Sequence, residues 1–202
     1  MTLAQSIRRR IYAKQPLELF SQDLVSKRDE SPQAVAQVLS RLYASGIITR
    51  ARQGVYFRPK KSRYGELGPS EADVIKFLLF TKGKRTGYLT GGRLYNRLGL
   101  TTQVSGVIEV ASHETRRSGV FLGCRVRFVK AYGEVNEKEI PLLEILDAIK
   151  DLNQIPGAPR QEALPLIAQM IQRLCEPDRK HLAHIALNYP PRVSAILDSL
   201  KL

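Results

Sequence analysis

The apolar positions along the front of the chain alternate between helical and strand spacing. Leu3, Ile7 and Ile11 recur at i, i+4 and i+8, the stripe of an amphipathic helix. Pro16 is expected to end that helix. Leu17, Leu19 and Phe20 make a short apolar segment. Ser21 then precedes a second short helix from Gln22 to about Lys27, with Asp23 in its first turn. The third helix has the clearest start signal, with Ser31 as cap and Pro32 at the first helical position, where a missing N–H costs nothing. Val35, Leu39 and Leu42, with Val38 beside them, form its apolar stripe. Gly46 suits the left-handed position that closes it. Residues 47–58 then read as two short strands joined by a turn at Gln53-Gly54.

Beyond residue 65 the pattern changes twice. Leu67-Gly68-Pro69-Ser70 reads as a linker that ends in a helix cap. Val74, Ile75, Phe77, Leu78 and Leu79 predict a buried helix, and Tyr88 to Leu98 another. Val107 to Ala111, Val120-Phe121-Leu122 and Val126 to Val129 read as strands, with turns at Ser118-Gly119 and Gly123. The rear of the chain holds four helical stripes, from Leu142 to Leu152, Leu164 to Leu174, Leu182 to Ala186 and Val193 to Leu200. Their short loops, among them Ile155-Pro156-Gly157, imply antiparallel neighbours. The class is therefore α+β. The chain divides into a winged helix-turn-helix over 1–65, a small α+β middle unit over 66–135 and a C-terminal helical bundle over 136–202, packed on the middle unit.

Composition narrows the function. Of 202 residues, 43% are hydrophobic, which excludes intrinsic disorder. A chain of this size buries roughly 70% of its surface on folding, enough for a real core. No run of 18 apolar residues marks a membrane span, and the start lacks the apolar core of a secretory signal. Cys124 and Cys175 have the spacing of neither a disulfide framework nor a zinc site, so a reducing, cytoplasmic setting is expected. The net charge of +13 is graded. Residues 1–65 carry 13 basic and 4 acidic side chains, residues 66–135 carry 11 and 6, and residues 136–202 carry 8 and 9. The polyanion-binding character lies at the front, and nucleic acid is its natural partner.

Within the front module the chemistry separates into two sets. Gln33, Gln37, Ser40 and Arg41 fall opposite the apolar stripe of the third helix, and no acid interrupts that span. Gln and Arg make bidentate contacts to adenine and guanine edges in the major groove, so these four are the expected base readers. Arg50, Arg52, Arg58, Lys60 and Lys61 decorate the wing and its exit, and join Arg8 and Arg9 as expected contacts to the DNA backbone. Arg8, Arg9 and Arg10 fan about 100° apart, so at most two can face one phosphate strand.

Residues from Ser6-Ile7-Arg8 through Val38-Leu39-Ser40-Arg41-Leu42 and Gly46-Ile47-Ile48 to Arg52-Gln53-Gly54-Val55-Tyr56 resemble an antitoxin family of the DUF6088 type, with an AbiEi-like N-terminal winged helix. Gly87-Tyr88 and the segment Asn96-Arg97-Leu98-Gly99-Leu100-Thr101-Thr102-Gln103-Val104 resemble that family's middle region. Ser105 follows where a Pro is common. The likeness covers about residues 3–130. It implies a bacterial type IV toxin–antitoxin system whose antitoxin represses its own operon by binding double-stranded operator DNA. The implied partner is an AbiEii-like nucleotidyltransferase toxin. A repeated operator would call for a homodimer, although no heptad declares one.

The rival readings are a winged-helix transcription regulator without a toxin, and a nucleic-acid-processing enzyme. The second is weakly supported. Gly83-Lys84-Arg85-Thr86-Gly87 fails as a phosphate loop, because Leu78 stands at the first glycine position and Arg85 follows the lysine. Glu109, His113 and Glu114 fall short of the converging carboxylates of a metal nuclease. His181 and His184 are two ligands at helical spacing, too few for a metal site. No catalytic residue, metal or cofactor is expected. The basic middle suits an extended DNA footprint, RNA or an acidic toxin equally. The rear module suits protein contact or structural support equally.

Overall fold

Ile7 and Ile11 lie fully buried on the inner face of helix α1 (Leu3–Tyr12), as their spacing requires. The structure, a computed structural model, describes residues 2–63, 65–114 and 116–200. α1 starts on a capping box between Thr2 and Gln5. It stops at Tyr12, short of Pro16, because Ile11 is the last position of its stripe and Lys14 and Gln15 give it nothing further to bury. Strand β1 (Phe20–Ser21) follows, then the single turn of α2 (Gln22–Val25), two residues shorter than the sequence suggests.

Helix α3 (Pro32–Ala44) buries Val35, Val38, Leu39 and Leu42. Ser31 occupies the cap position without making a capping bond; its hydroxyl donates instead to Gln33 Oε1 at 3.1 Å. The far end closes in a Schellman motif. Gly46 sits at φ 69°, its N–H bonds the Tyr43 carbonyl, and the Ile47 N–H bonds that of Leu42, both at 3.0 Å. Strands β2 (Thr49–Arg52) and β3 (Val55–Phe57) form the antiparallel wing, with a register shift between Arg50 and Arg52. β1 adds to the other edge of β3, pairing Phe20 with Tyr56, so the sheet order is β1-β3-β2. This strand was hidden in the apolar segment before Ser21. Three helices and this sheet close over Ile7, Ile11, Phe20, Val25, Val35, Leu39 and Ile48. The layout is that of a winged helix.

A two-stranded ribbon of β4 (Lys60–Ser62) and β5 (Gly65–Leu67) leads to α4 (Glu71–Leu79). Ser70 and Asp73 complete a capping box at its start. β6 (Phe80–Thr81) and β7 (Lys84–Arg85) then make a small hairpin. Met1–Lys84 with Phe121–Gly123 forms one compact unit, and Arg85–Val120 with Cys124–Leu202 the other. The boundary read at 65/66 lies inside the first unit and that at 135/136 inside the second.

The second unit opens with a correction. Tyr88 to Leu98 is not one helix but strand β8 (Gly87–Thr90) followed by helix α5 (Gly91–Arg97). The break falls at Gly91, which sits at φ 67°, and a side chain there would collide with the Glu109 carboxylate. β9 (Val107–Ser112), β10 (Gly119–Phe121) and β11 (Cys124–Lys130) complete a sheet of order β10-β11-β9-β8. β8 runs antiparallel to β9, and β9 parallel to β11. Four helices follow, α6 (Ile140–Lys150), α7 (Arg160–Gln172), α8 (Glu176–Ala186) and α9 (Pro191–Ser199), with a single 3-10 turn at Leu152–Gln154. They match the four apolar stripes. α6 is the hub: Leu143, Leu146 and Ile149 are buried in one core with Tyr88, Leu94, Ile167, Leu182, Ile185 and Val193. The four helices thus share one core with residues of β8, α5 and β9.

Candidate nucleic-acid interface

The helical repeat sets which side chains of α3 share a face. With Gln33 at 0°, Ser40, Gln37 and Arg41 fall at about −20°, 40° and 80°, within an arc of roughly 100°. All four are exposed. Val35, Val38, Leu39 and Leu42 fill the opposite side and anchor it in the core. The side chains of Gln37, Ser40 and Arg41 make no hydrogen bond or ion pair among the described residues, and that of Gln33 uses only its carbonyl oxygen, toward Ser31. Three unspent side chains, with the Gln33 amide N–H groups also free, can bond an external partner without breaking internal bonds.

The turn before α3 is fixed from both sides. Gln22 Nε2 donates to the Pro32 carbonyl at 2.7 Å, tying α2 to the start of α3. Arg10 donates from Nη2 to both Glu30 oxygens, at 2.7 and 2.9 Å, and the Lys27 N–H adds a third bond at 2.8 Å. Those bonds, led by Arg10, hold the Glu30 carboxyl below the usual range despite the opposing effect of burial. Arg10 is thereby spent on the fold. Arg8 and Arg9 are the exposed members of the triplet, with Arg8 over the Tyr12 ring at 5.5 Å.

The wing presents its cations on aromatic supports. Arg50 stacks at 5.1 Å on Tyr43, an exposed ring in the last turn of α3, so the first wing cation is held beside the end of that helix. Arg52 stacks at 4.9 Å over Phe121, a residue of the same compact unit. Both arginines are exposed, as are Lys60 and Lys61 in β4. Arg58 is placed differently. It is half-buried, donates to the Lys14 carbonyl at 2.6 Å and packs on Tyr12 at 4.9 Å. Its guanidinium clasps the end of β3 to the segment after α1. Tyr12 and Tyr43 were missed in the sequence reading. Their signal was position, at the ends of α1 and α3 on polar faces that core packing does not require.

The candidate catalytic groups are dispersed into local pairs. Glu109 binds Arg127, with Nε–Oε2 at 2.8 Å, Glu114 binds Arg116, and His113 Nε2 donates to the Gly133 carbonyl at 2.8 Å. His181 lies 3.3 Å from Glu139. Among the described residues no group of three or more His, Cys, Asp and Glu side chains could hold a metal, and no helix is long and apolar enough to cross a membrane.

A buried polar cluster escaped the sequence reading. Asp147, 1% exposed in the middle of α6, accepts from the hydroxyls of Tyr88 at 3.0 Å, Thr90 at 2.7 Å and Tyr189 at 3.2 Å, and from Lys150 Nζ at 3.2 Å. Burial first, and then the Asp147 charge, push the Tyr88 and Tyr189 hydroxyls far above the usual tyrosine value, so both remain donors. Burial alone would pull Lys150 down, but Asp147 and Asp151 outweigh it and raise it. Tyr95 closes the edge of the cluster, donating to Asp151 Oδ2 at 2.5 Å. The available signal was a carboxylate four residues after Leu143, on the apolar stripe itself.

The fold and this face together define a winged-helix protein whose third helix displays an exposed polar row beside a basic wing. Comparison with known proteins adds a lineage. The chain belongs to a family of unknown function (DUF6088), whose model matches residues 7–152. No curated protein matches its sequence. Among solved structures it is similar to the RV2827C protein from Mycobacterium tuberculosis, with 11% identity and a TM-score of 0.49, over 96% of this chain and 80% of that one.

Proposed function

We propose that the protein is a DNA-binding antitoxin that represses its own operon and counteracts a nucleotidyltransferase-like toxin. The observation that carries the DNA half is the exposed row of Gln33, Gln37, Ser40 and Arg41 on α3, of which Gln33 alone has a side-chain bond, to Ser31. α3 enters the major groove and these four side chains read base edges. Arg8, Arg9, Arg50, Arg52, Lys60 and Lys61 bind phosphates, and Arg58 holds the wing in place. The antitoxin half is supported by the motif resemblance in residues 3–130, and the nearly neutral rear segment leaves a surface suited to protein contact. No catalytic residue or cofactor enters this reading.

The test is co-expression of the full chain with the neighbouring gene of its operon. Rescue of growth from that gene's toxicity supports the antitoxin, and rescue that persists in the Gln37→Ala/Arg41→Ala variant separates neutralisation from repression. A neighbour that is not toxic, combined with intact operator binding, would leave a transcription regulator without a toxin.

A further inference from the structure

The first unit carries a cavity of about 300 Å³ whose lining includes none of the residues proposed to contact DNA. Its apolar lining comes from Pro16 and Leu19 after α1, Leu24 in α2, Phe77 in α4 and Phe80 in β6. Dry apolar cavities of about 150 Å³ accept benzene, so twice that volume takes about twelve non-hydrogen atoms. The volume lies at the lower end of the range for small-molecule sites, roughly 300 Å³ upward.

The charges around the cavity select a sign. Three ammonium groups, Lys14, Lys76 and Lys82, stand against two carboxylates, Glu18 and Asp73. Glu18 is taken up by Lys14 Nζ at 2.7 Å and by the Gln15 N–H at 3.1 Å. Asp73 is spent on the α4 cap, where its Oδ2 accepts from the Ser70 N–H at 2.8 Å and hydroxyl at 2.6 Å. Lys76 and Lys82 are exposed and form no ion pair among the described residues. The rim therefore has cationic capacity left over and its carboxylates are already engaged.

Lys82 is carried on a tight turn. It and Gly83 form the two-residue turn between β6 and β7, both with positive φ, 50° and 79°. A turn of that hand favours Asn-Gly. A lysine in the left-handed region costs roughly 1–2 kcal/mol.

We propose that this cavity binds a small aromatic carboxylate, with its ring on the Phe77–Phe80 side and its carboxylate at Lys76 and Lys82. The site is independent of the DNA reading and is tested without DNA. The probe is 2-naphthoate, titrated into the full chain by calorimetry beside its neutral counterpart 2-naphthalenemethanol. The expected result is saturable one-to-one binding of 2-naphthoate, at least tenfold weaker binding of the alcohol, and at least tenfold weaker binding of 2-naphthoate to Lys76→Gln/Lys82→Gln. Should the double variant melt earlier than the wild type, Lys82→Gln alone takes its place, with at least a threefold loss expected. The absence of saturable 2-naphthoate binding, equal binding of the alcohol, or undiminished binding to the folded lysine variants would overturn the proposal.

Discussion

Replacing Asp147 should be among the most damaging single changes in the second unit, and the damage should depend on what replaces it. The carboxylate serves four donors. Oδ2 accepts from Tyr88 and Thr90, and Oδ1 accepts from Tyr189 and Lys150. Asp147→Ala leaves three buried hydroxyls to find new acceptors and strips Lys150 of its closest counter-ion. A buried group left unsatisfied costs about 1–3 kcal/mol, and breaking a buried ion pair about 3–5 kcal/mol. Even with one hydroxyl re-paired and Asp151 still 3.6 Å from Lys150, the loss should exceed about 4 kcal/mol. Asp147→Asn should be milder. Its carbonyl oxygen can keep Lys150 and Tyr189, and its amide can donate to Tyr88 and Thr90, whose hydroxyls rotate to accept. That rearrangement should cost about 1–3 kcal/mol. Urea unfolding followed by tyrosine fluorescence and far-ultraviolet circular dichroism reads both variants. A loss below about 1.5 kcal/mol for Asp147→Ala, or equal losses for the two, would refute the reasoning.

Glu30, with its carboxyl held below the ordinary value of 4.5, should contribute stability that is complete above that pH. The contribution should fade as pH drops through the lower folded-state value, so wild type and Glu30→Gln should differ by about 1–3 kcal/mol at pH 7 and converge under acid, as followed by thermal melts across pH. Gly46→Ala should destabilise the head by about 1–2 kcal/mol in urea melts, since Gly46 sits at φ 69° with no neighbour within 4 Å of an added Cβ and backbone conformation is the whole penalty. If six cations each neutralise a phosphate, the slope of log K against log salt for duplex DNA should lie near −5, and Arg52→Ala should make it shallower by about one, as read from fluorescence anisotropy titrations.

The parts of this protein that the sequence made readable are those fixed by local rules. The stripe of Ile7 and Ile11, the Pro32 start, the Gly46 stop and the Gln53-Gly54 wing turn each follow from neighbours a few residues away, and each is where its pattern put it. Four rear helices were legible for the same reason. What depended on distant partners was not. β1 exists because Phe20 pairs with Tyr56, thirty-six residues on, and two residues alone carry no periodicity. Tyr88 to Thr90 looked helical until β9 supplied a strand to pair with, and the strand ends where Gly91 takes φ 67°. The exposed face of α3 was readable because exposure follows directly from the helical repeat. The commitment of Arg58 to Lys14 and Tyr12 was not, because a basic residue at a strand end looks the same whether it faces solvent or the neighbouring segment. Asp147 was overlooked because its four donors come from β8, α6 itself and Tyr189.

The central claim is that α3 reads bases while the wing grips phosphates. It is tested most directly by selecting duplexes from a randomised pool with the wild type, then measuring Gln37→Ala, Arg41→Ala and Arg52→Ala on the selected and on a scrambled duplex at one salt concentration. Gln37→Ala and Arg41→Ala should each lose about 5- to 150-fold on the selected duplex and far less on the scrambled one, and Arg52→Ala should lose the same factor on both. Failure of the wild type to enrich any sequence, or equal losses on both duplexes for Gln37→Ala and Arg41→Ala, would contradict the account.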